Sequence, residues 1–179
     1  MNEEFKENEQ LAEEWFLKGI AAFDTKGYDI AIECFKKAIE LEPDYAYAYN
    51  GMGNAYSDWN GNYKNAIECY KKAIELNPDY ADAYYNMGNA YGAWNGQYEK
   101  AIECYEKAIE LDPDYAEAYN NMKITRKKLR KLTITPIEEC RDLLKSIRTF
   151  VIIIAVIMMV AAFFTILYVV LETIHSFFT

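Results

Sequence analysis

GMGNAYSDWNGNYKNAIECYKKAIELNPDY, residues 51–80, returns almost letter for letter at 86–115 as NMGNAYGAWNGQYEKAIECYEKAIELDPDY. A worn copy, FLKGIAAFDTKGYDIAIECFKKAIELEPDY, precedes both at 16–45. Pro43, Pro78 and Pro113 fall 35 residues apart, as do Ala31, Ala66 and Ala101. A fixed period of this length marks a solenoid of stacked helical hairpins, each covering its neighbour's apolar face.

The letters within one period follow from packing. In the third copy Tyr84, Met87, Gly88 and Tyr91 share one helical face, and Ala101, Tyr105 and Ala108 share another. Gly88 and Ala101 are small where paired helices approach, and the tyrosines fill the space around them. Asn95-Gly96 suits a tight left-handed turn. Asp112-Pro113 ends the second helix, because the residue before a proline is pushed out of the helical region. Gly19 to Ala31 spans 12 positions, whereas Gly53 to Ala66 and Gly88 to Ala101 span 13. The second and third copies therefore carry one extra turn residue, beside Trp59 and Trp94.

This pattern of aromatic, large apolar, small, Tyr, Ala, aromatic, Ala and Pro closely resembles the tetratricopeptide repeat family over roughly residues 12–122. The resemblance implies an all-α, right-handed solenoid of three helical hairpins (12–45, 46–80 and 81–115) with a closing helix at 116–131. It also implies a concave groove lined by the first helix of each hairpin. Residue by residue, this assigns to the groove Glu13, Phe16, Leu17, Ile20 and Phe23, then Tyr47, Asn50, Asn54 and Asp58. Asp82, Tyr85, Asn86 and Asn89 follow from the third hairpin, with Glu117, Asn120 and Asn121 from the closing helix. Asparagine both donates and accepts, so a ladder of asparagines can track a peptide backbone; the same residues also suit the family's average sequence with no ligand at all. One subclass of the family clamps a carboxylate terminus with lysine, two asparagines, lysine and arginine. Asn54 and Asn86 match its asparagines, but its basic positions are occupied by Asn50, Glu117 and Asn121. An acid where a carboxylate should dock repels it, so a neutral or basic peptide is the expected partner. Trp59 and Trp94 suit either a ligand rim or packing between repeats.

The net charge of -9 conceals an asymmetry. Residues 1–122 hold 10 basic against 24 acidic side chains, and residues 123–148 hold 9 basic against 3 acidic. The acidic repeats argue against general nucleic-acid binding, which needs a cationic surface. Cys34, Cys69 and Cys104 are one position of successive repeats, a helix diameter or more apart, and are expected to pack as small residues rather than form disulfides. No basic start followed by an apolar run marks a secretory signal, and residues 1–11 read as a polar N-terminal extension.

After the repeats the pattern dissolves into TRKKLRK, residues 125–131. This run suits a topology determinant or a patch for anionic headgroups. Leu132 to Thr135 reads as a break, followed by a helix capped by Thr135 with Pro136 in its first turn and Glu138 completing a capping box. That juxtamembrane helix, within the linker 132–149, is amphipathic: Ile137, Cys140, Leu144 and Ile147 oppose Glu138, Arg141, Asp142, Lys145 and Arg148. It leads into FVIIIAVIMMVAAFFTILYVVL, residues 150–171, 22 residues without a charge. At about 1.5 Å per residue this matches a hydrocarbon core of about 30 Å. A transmembrane helix is expected there, with the basic side cytoplasmic and the tail 172–179 across the bilayer. Cys140 is placed where a palmitoyl group could be added, and Ala161 and Thr165 where a second helix could seat.

Catalysis finds no constellation: the one histidine is His175, and neither a phosphate loop nor a metal-ligand cluster appears. No cofactor is expected. The sequence therefore reads as a tail-anchored scaffold recruiting a protein or peptide partner to the lipid bilayer. The alternatives are a structural subunit of a larger membrane complex, packing on other transmembrane helices, and self-association through the end repeats.

Overall fold

The computed structural model describes residues 3–178, and among them every regular element is helical. Three hairpins pair α1 (Glu3–Asp24) with α2 (Tyr28–Leu41), α3 (Ala46–Asp58) with α4 (Tyr63–Leu76), and α5 (Ala81–Ala93) with α6 (Tyr98–Leu111). Successive hairpins stack α2 on α3 and α4 on α5, while α1 meets α3 and α3 meets α5 along one side. The first helices thus form an inner layer and the second helices an outer one. The last helix, α7 (Ala116–Phe178), opens against the third hairpin. Residues 1–130 form one compact unit and residues 131–179 a second.

Packing follows the small-and-aromatic alternation. A Cβ built on Gly53 would lie 2.5 Å from Tyr70 Cε1, and one on Gly88 would lie 2.7 Å from Tyr105 Cε1. Only glycine lets these rings seat against the facing helix. Phe35, Tyr70 and Tyr105 occupy equivalent buried positions on α2, α4 and α6. Each second helix ends before its proline, at Glu42, Asn77 and Asp112, in extended backbone. Asn77 and Asp112 also accept from the amides of Asp79 and Asp114 at 3.2 and 3.1 Å, fixing the turn into the next hairpin.

The turns inside the hairpins show what the extra residue does. Between α1 and α2 a single left-handed residue, Lys26 (φ 61), closes a Schellman turn through Gly27 N–H to the Ala22 carbonyl (2.8 Å). Between α3 and α4 two left-handed residues, Asn60 and Gly61, carry the chain round, and Asn62 N–H donates to the Tyr56 carbonyl at 3.0 Å. Asn95 and Gly96 repeat this geometry.

Two expectations need correction. The chain is helical from Glu3, so the N-terminal extension is the first part of α1; its Glu, Lys and Gln residues are good helix formers. The break expected at Leu132 to Thr135 is absent, and α7 runs through it with Pro136 inside the helix. Renucleating a helix is costly, whereas Thr and Ile lower propensity by only tenths of a kcal/mol each, so propagation wins there. No helix starts at this point for a capping box to serve, and the Thr135 side chain lies outside the described residues.

Candidate binding groove

The inner layer carries the asparagines, and most of their oxygens are already engaged. Tyr70 OH donates to Asn54 Oδ1, and Tyr105 OH donates to Asn89 Oδ1, both at 2.8 Å. Each bond ties the second helix of a hairpin to its first. In the opening hairpin the equivalent pair is Phe35 and Ile20, which have neither hydroxyl nor amide. The donor and its acceptor change together.

A second set of bonds links neighbouring hairpins. Asn50 Nδ2 donates to Tyr80 OH and Asn86 Nδ2 donates to Asn50 Oδ1, both at 3.2 Å. Asn121 Nδ2 reaches Asn89 Oδ1 at 2.9 Å and Tyr85 OH at 3.1 Å. Asp82 accepts from Tyr115 OH at 2.7 Å. Burial raises the hydroxyls of Tyr80 and Tyr105 to about 12, with neighbouring Asp82 and Tyr85 respectively adding to the rise. Both rings therefore stay neutral donors or acceptors throughout the ordinary pH range.

Asn54, Asp58, Asn86 and Asn89 converge on one cavity of about 280 Å³, completed by Phe23, Ser57 and Tyr70. Among the described residues, Asn54 Nδ2, Asn89 Nδ2 and Asn86 Oδ1 make no hydrogen bond, and no buried side-chain polar atom lacks a partner. These three atoms therefore reach solvent. Asn89 and Asn121 also line an adjoining cavity of about 250 Å³ with Tyr105, Thr125 and Lys128. Together the two cavities present donors, an acceptor, a carboxylate and an ammonium to anything laid along the inner layer.

The remaining groove positions are arranged differently. Tyr47 is exposed and sits edge-on to Tyr80, ring centres 5.0 Å apart. Asn50 is buried at 7 % exposure, so it braces the repeats. Tyr85 stacks between Tyr105 and Tyr115. Glu117 and Asn120 are exposed and line neither cavity. In the first hairpin Leu17 and Ile20 are exposed, making that end of the inner layer apolar. Trp94 packs against the core, whereas Trp59 is 43 % exposed.

Ser57, Tyr70, Thr125 and Lys128 were not among the expected groove residues. Lys128 was legible from the period, since Asp58, Ala93 and Lys128 stand 35 residues apart. The groove edge therefore changes sign, from Asp58 to Lys128. The cysteines pack as expected: Cys34, Cys69 and Cys104 are buried free thiols, and burial pushes those of Cys69 and Cys104 up to about 12.

The profile of the TPR repeat family matches residues 21–58, 60–93 and 95–122. Among solved structures, the first TPR of Spaghetti (RPAP3) bound to HSP90 peptide SRMEEVD is 29% identical, with a TM-score of 0.65 over 68% of this chain and 94% of that one. The Arabidopsis OM64 TPR domain is 25% identical, TM-score 0.65, over 68% and 98% of the two chains. MamA is 33% identical, TM-score 0.60, over 65% and 67%. No curated protein sequence matches the chain.

Proposed function

The chain belongs to the tetratricopeptide repeat family, and we propose that it is a membrane-anchored interaction scaffold that recruits a protein or peptide partner through its inner layer. The observation that carries this reading is the row of solvent-facing amide atoms on Asn54, Asn86 and Asn89 around one cavity. Their spare donors and acceptor suit a peptide backbone, which offers one of each per residue. A related repeat domain holds an HSP90 peptide. Here Asn50, Glu117 and Asn121 stand where a carboxylate clamp needs cations, and Asp58 lines the cavity. The partner segment is accordingly neutral or basic where it meets Asp58.

The anchor is α7. One helix, within Ala116–Thr173, is long and apolar enough to cross a membrane. The uncharged run 150–171 supplies the span, and Arg141, Lys145 and Arg148 on its amino-terminal side favour a cytoplasmic repeat unit. Binding would then act by localisation, confining the partner to a surface.

Photo-crosslinking from position 58 of the full-length chain in membranes tests the recruiting surface. A discrete adduct that weakens at least fivefold with Asn54→Ala and Asn86→Ala supports it. An adduct pattern indifferent to both substitutions rejects it.

A further inference from the structure

The two cavities of the inner layer each hold one charged residue, and the charges are opposite. Asp58 is the one charge lining the first, and Lys128 the one charge lining the second. Both side chains are exposed, and among the described residues neither makes a hydrogen bond or ion pair. Neither charge is therefore satisfied within the chain.

Their places come from the period. Five residues after Gly19, Gly53 and Gly88, and after Lys123 in the same register, stand Asp24, Asp58, Ala93 and Lys128. The first three of these are the closing residues of α1, α3 and α5, so the row follows one edge of the inner layer. Charge along that edge runs acid, acid, neutral, base. The row one residue after the same positions is Ile20, Asn54, Asn89 and Ile124, which reads the same from either end. The amides hold a segment without regard to its order, whereas the edge distinguishes its two ends by charge.

Asp58 and Lys128 stand two helices apart in this layer. Packed helices lie about 8–10 Å axis to axis, which puts the two charges roughly 16–20 Å from one another. An extended chain rises about 3.3 Å per residue, so about five or six residues cover that distance.

We propose that the partner segment carries an arginine and an acidic side chain about five or six residues apart, the arginine at Asp58 and the acid at Lys128. This rests on the inner layer being the recruiting surface, and it names the chemistry which that surface selects. Arginine suits the first cavity better than lysine. Its fork of donors can meet the Asp58 carboxylate and the free Asn86 Oδ1 together, and Phe23 supplies a ring for its flat face. No acid lines the second cavity to repel a carboxylate, and Lys128 offers it an ammonium. Net charge alone points elsewhere. Residues 1–122 hold 24 acidic against 10 basic side chains, so bulk attraction would favour a segment with two cations. Such a segment sets a cation against Lys128, and like charges brought together cost affinity.

Fluorescence anisotropy against the full-length chain in phosphatidylcholine nanodiscs tests the pairing, using blocked-end peptides on one serine–glycine frame. Four are compared: arginine and glutamate about six residues apart, the same two adjacent, two arginines at the wide spacing, and two glutamates at the wide spacing. The widely spaced arginine–glutamate peptide should bind at least tenfold tighter than the other three. Asp58→Asn and Lys128→Gln should each cost it at least fivefold. Lys128→Glu should transfer the preference to the two-arginine peptide. Both positions are exposed, so the circular dichroism of every variant should match the parent. Equal binding of the four peptides, tightest binding of two arginines or of two glutamates to the unchanged chain, or indifference to Asp58→Asn and Lys128→Gln overturns the pairing. If the peptides then still lose affinity with Asn54→Ala and Asn86→Ala, the recruiting surface stands and the charge order alone falls. If no peptide binds, the pairing falls as well, and crosslinking from position 58 decides the recruiting surface by itself.

Discussion

The repeat unit keeps its alanines and central aromatic rings between helices, whereas from Lys131 to Thr173 every described side chain except that of Ile134 is exposed. Both regions are helical, so the difference lies in what covers them. Most helical stability in water comes from packing an apolar face, and a lone helix is marginal. The repeats find that packing within their own chain. The later part of α7 finds no such packing within its own unit.

The most severe way to break the self-contained side of this contrast is to fill a close approach. Gly53→Val puts a branched side chain where Tyr70 already stands at 2.5 Å from a bare Cβ. Urea denaturation followed by circular dichroism should show a loss of about 3 kcal/mol, at the upper end for overpacking. A loss below about 1 kcal/mol would show that the hairpin yields easily. Next comes Asn89→Ala, which removes the acceptor of the Tyr105 hydroxyl and one of the two acceptors of the Asn121 amide. Its expected cost in the same assay is about 2 kcal/mol.

Alkali should act on the repeat unit through the same buried groups. Burial raises the thiols of Cys69 and Cys104 and the hydroxyls of Tyr80 and Tyr105 to about 12 in the fold. The unfolded chain ionises these groups near their ordinary values of about 8.5 and 10. Stability is therefore fully present below about pH 8 and falls as pH rises toward 12. A thermal melt series should show Tm dropping by several degrees between pH 9 and 11. A flat profile would contradict the burial of these four groups.

The smallest effect belongs to the exposed helix. Leu144→Gln should change the repeat melting transition by less than about 0.5 kcal/mol, as surface substitutions do. A cooperative shift of the repeat transition would show that the two units are energetically coupled.

Much of the fold was legible because its rules are local and repeated. The 35-residue period, the small residue opposite a ring, and the proline after each second helix each demand one particular neighbour. The extra turn residue was countable too, and two left-handed residues in place of one explain how it fits. The groove was harder to read. Asn50 has the letter and register of a ligand contact, yet its amide is bound to Tyr80, thirty residues away. A side-chain amide can face a ligand or a neighbouring repeat from the same helical position, and only the partner's placement decides. The supposed break at Leu132 to Thr135 failed for the opposite reason. Pro136 suits the first turn of a helix, yet the helix on either side propagates through it.

The bond between Tyr70 and Asn54, repeated by Tyr105 and Asn89, bears on how such a chain changes length. Donor and acceptor belong to one hairpin, so neither looks to an adjacent unit for completion. Gene duplication or loss of one whole 35-residue unit leaves every such hydroxyl matched within its own hairpin. The same pairing that ties the second and third hairpins makes the groove extensible in whole steps, with two more inner-layer asparagines for each step, as Asn86 and Asn89 follow Asn50 and Asn54.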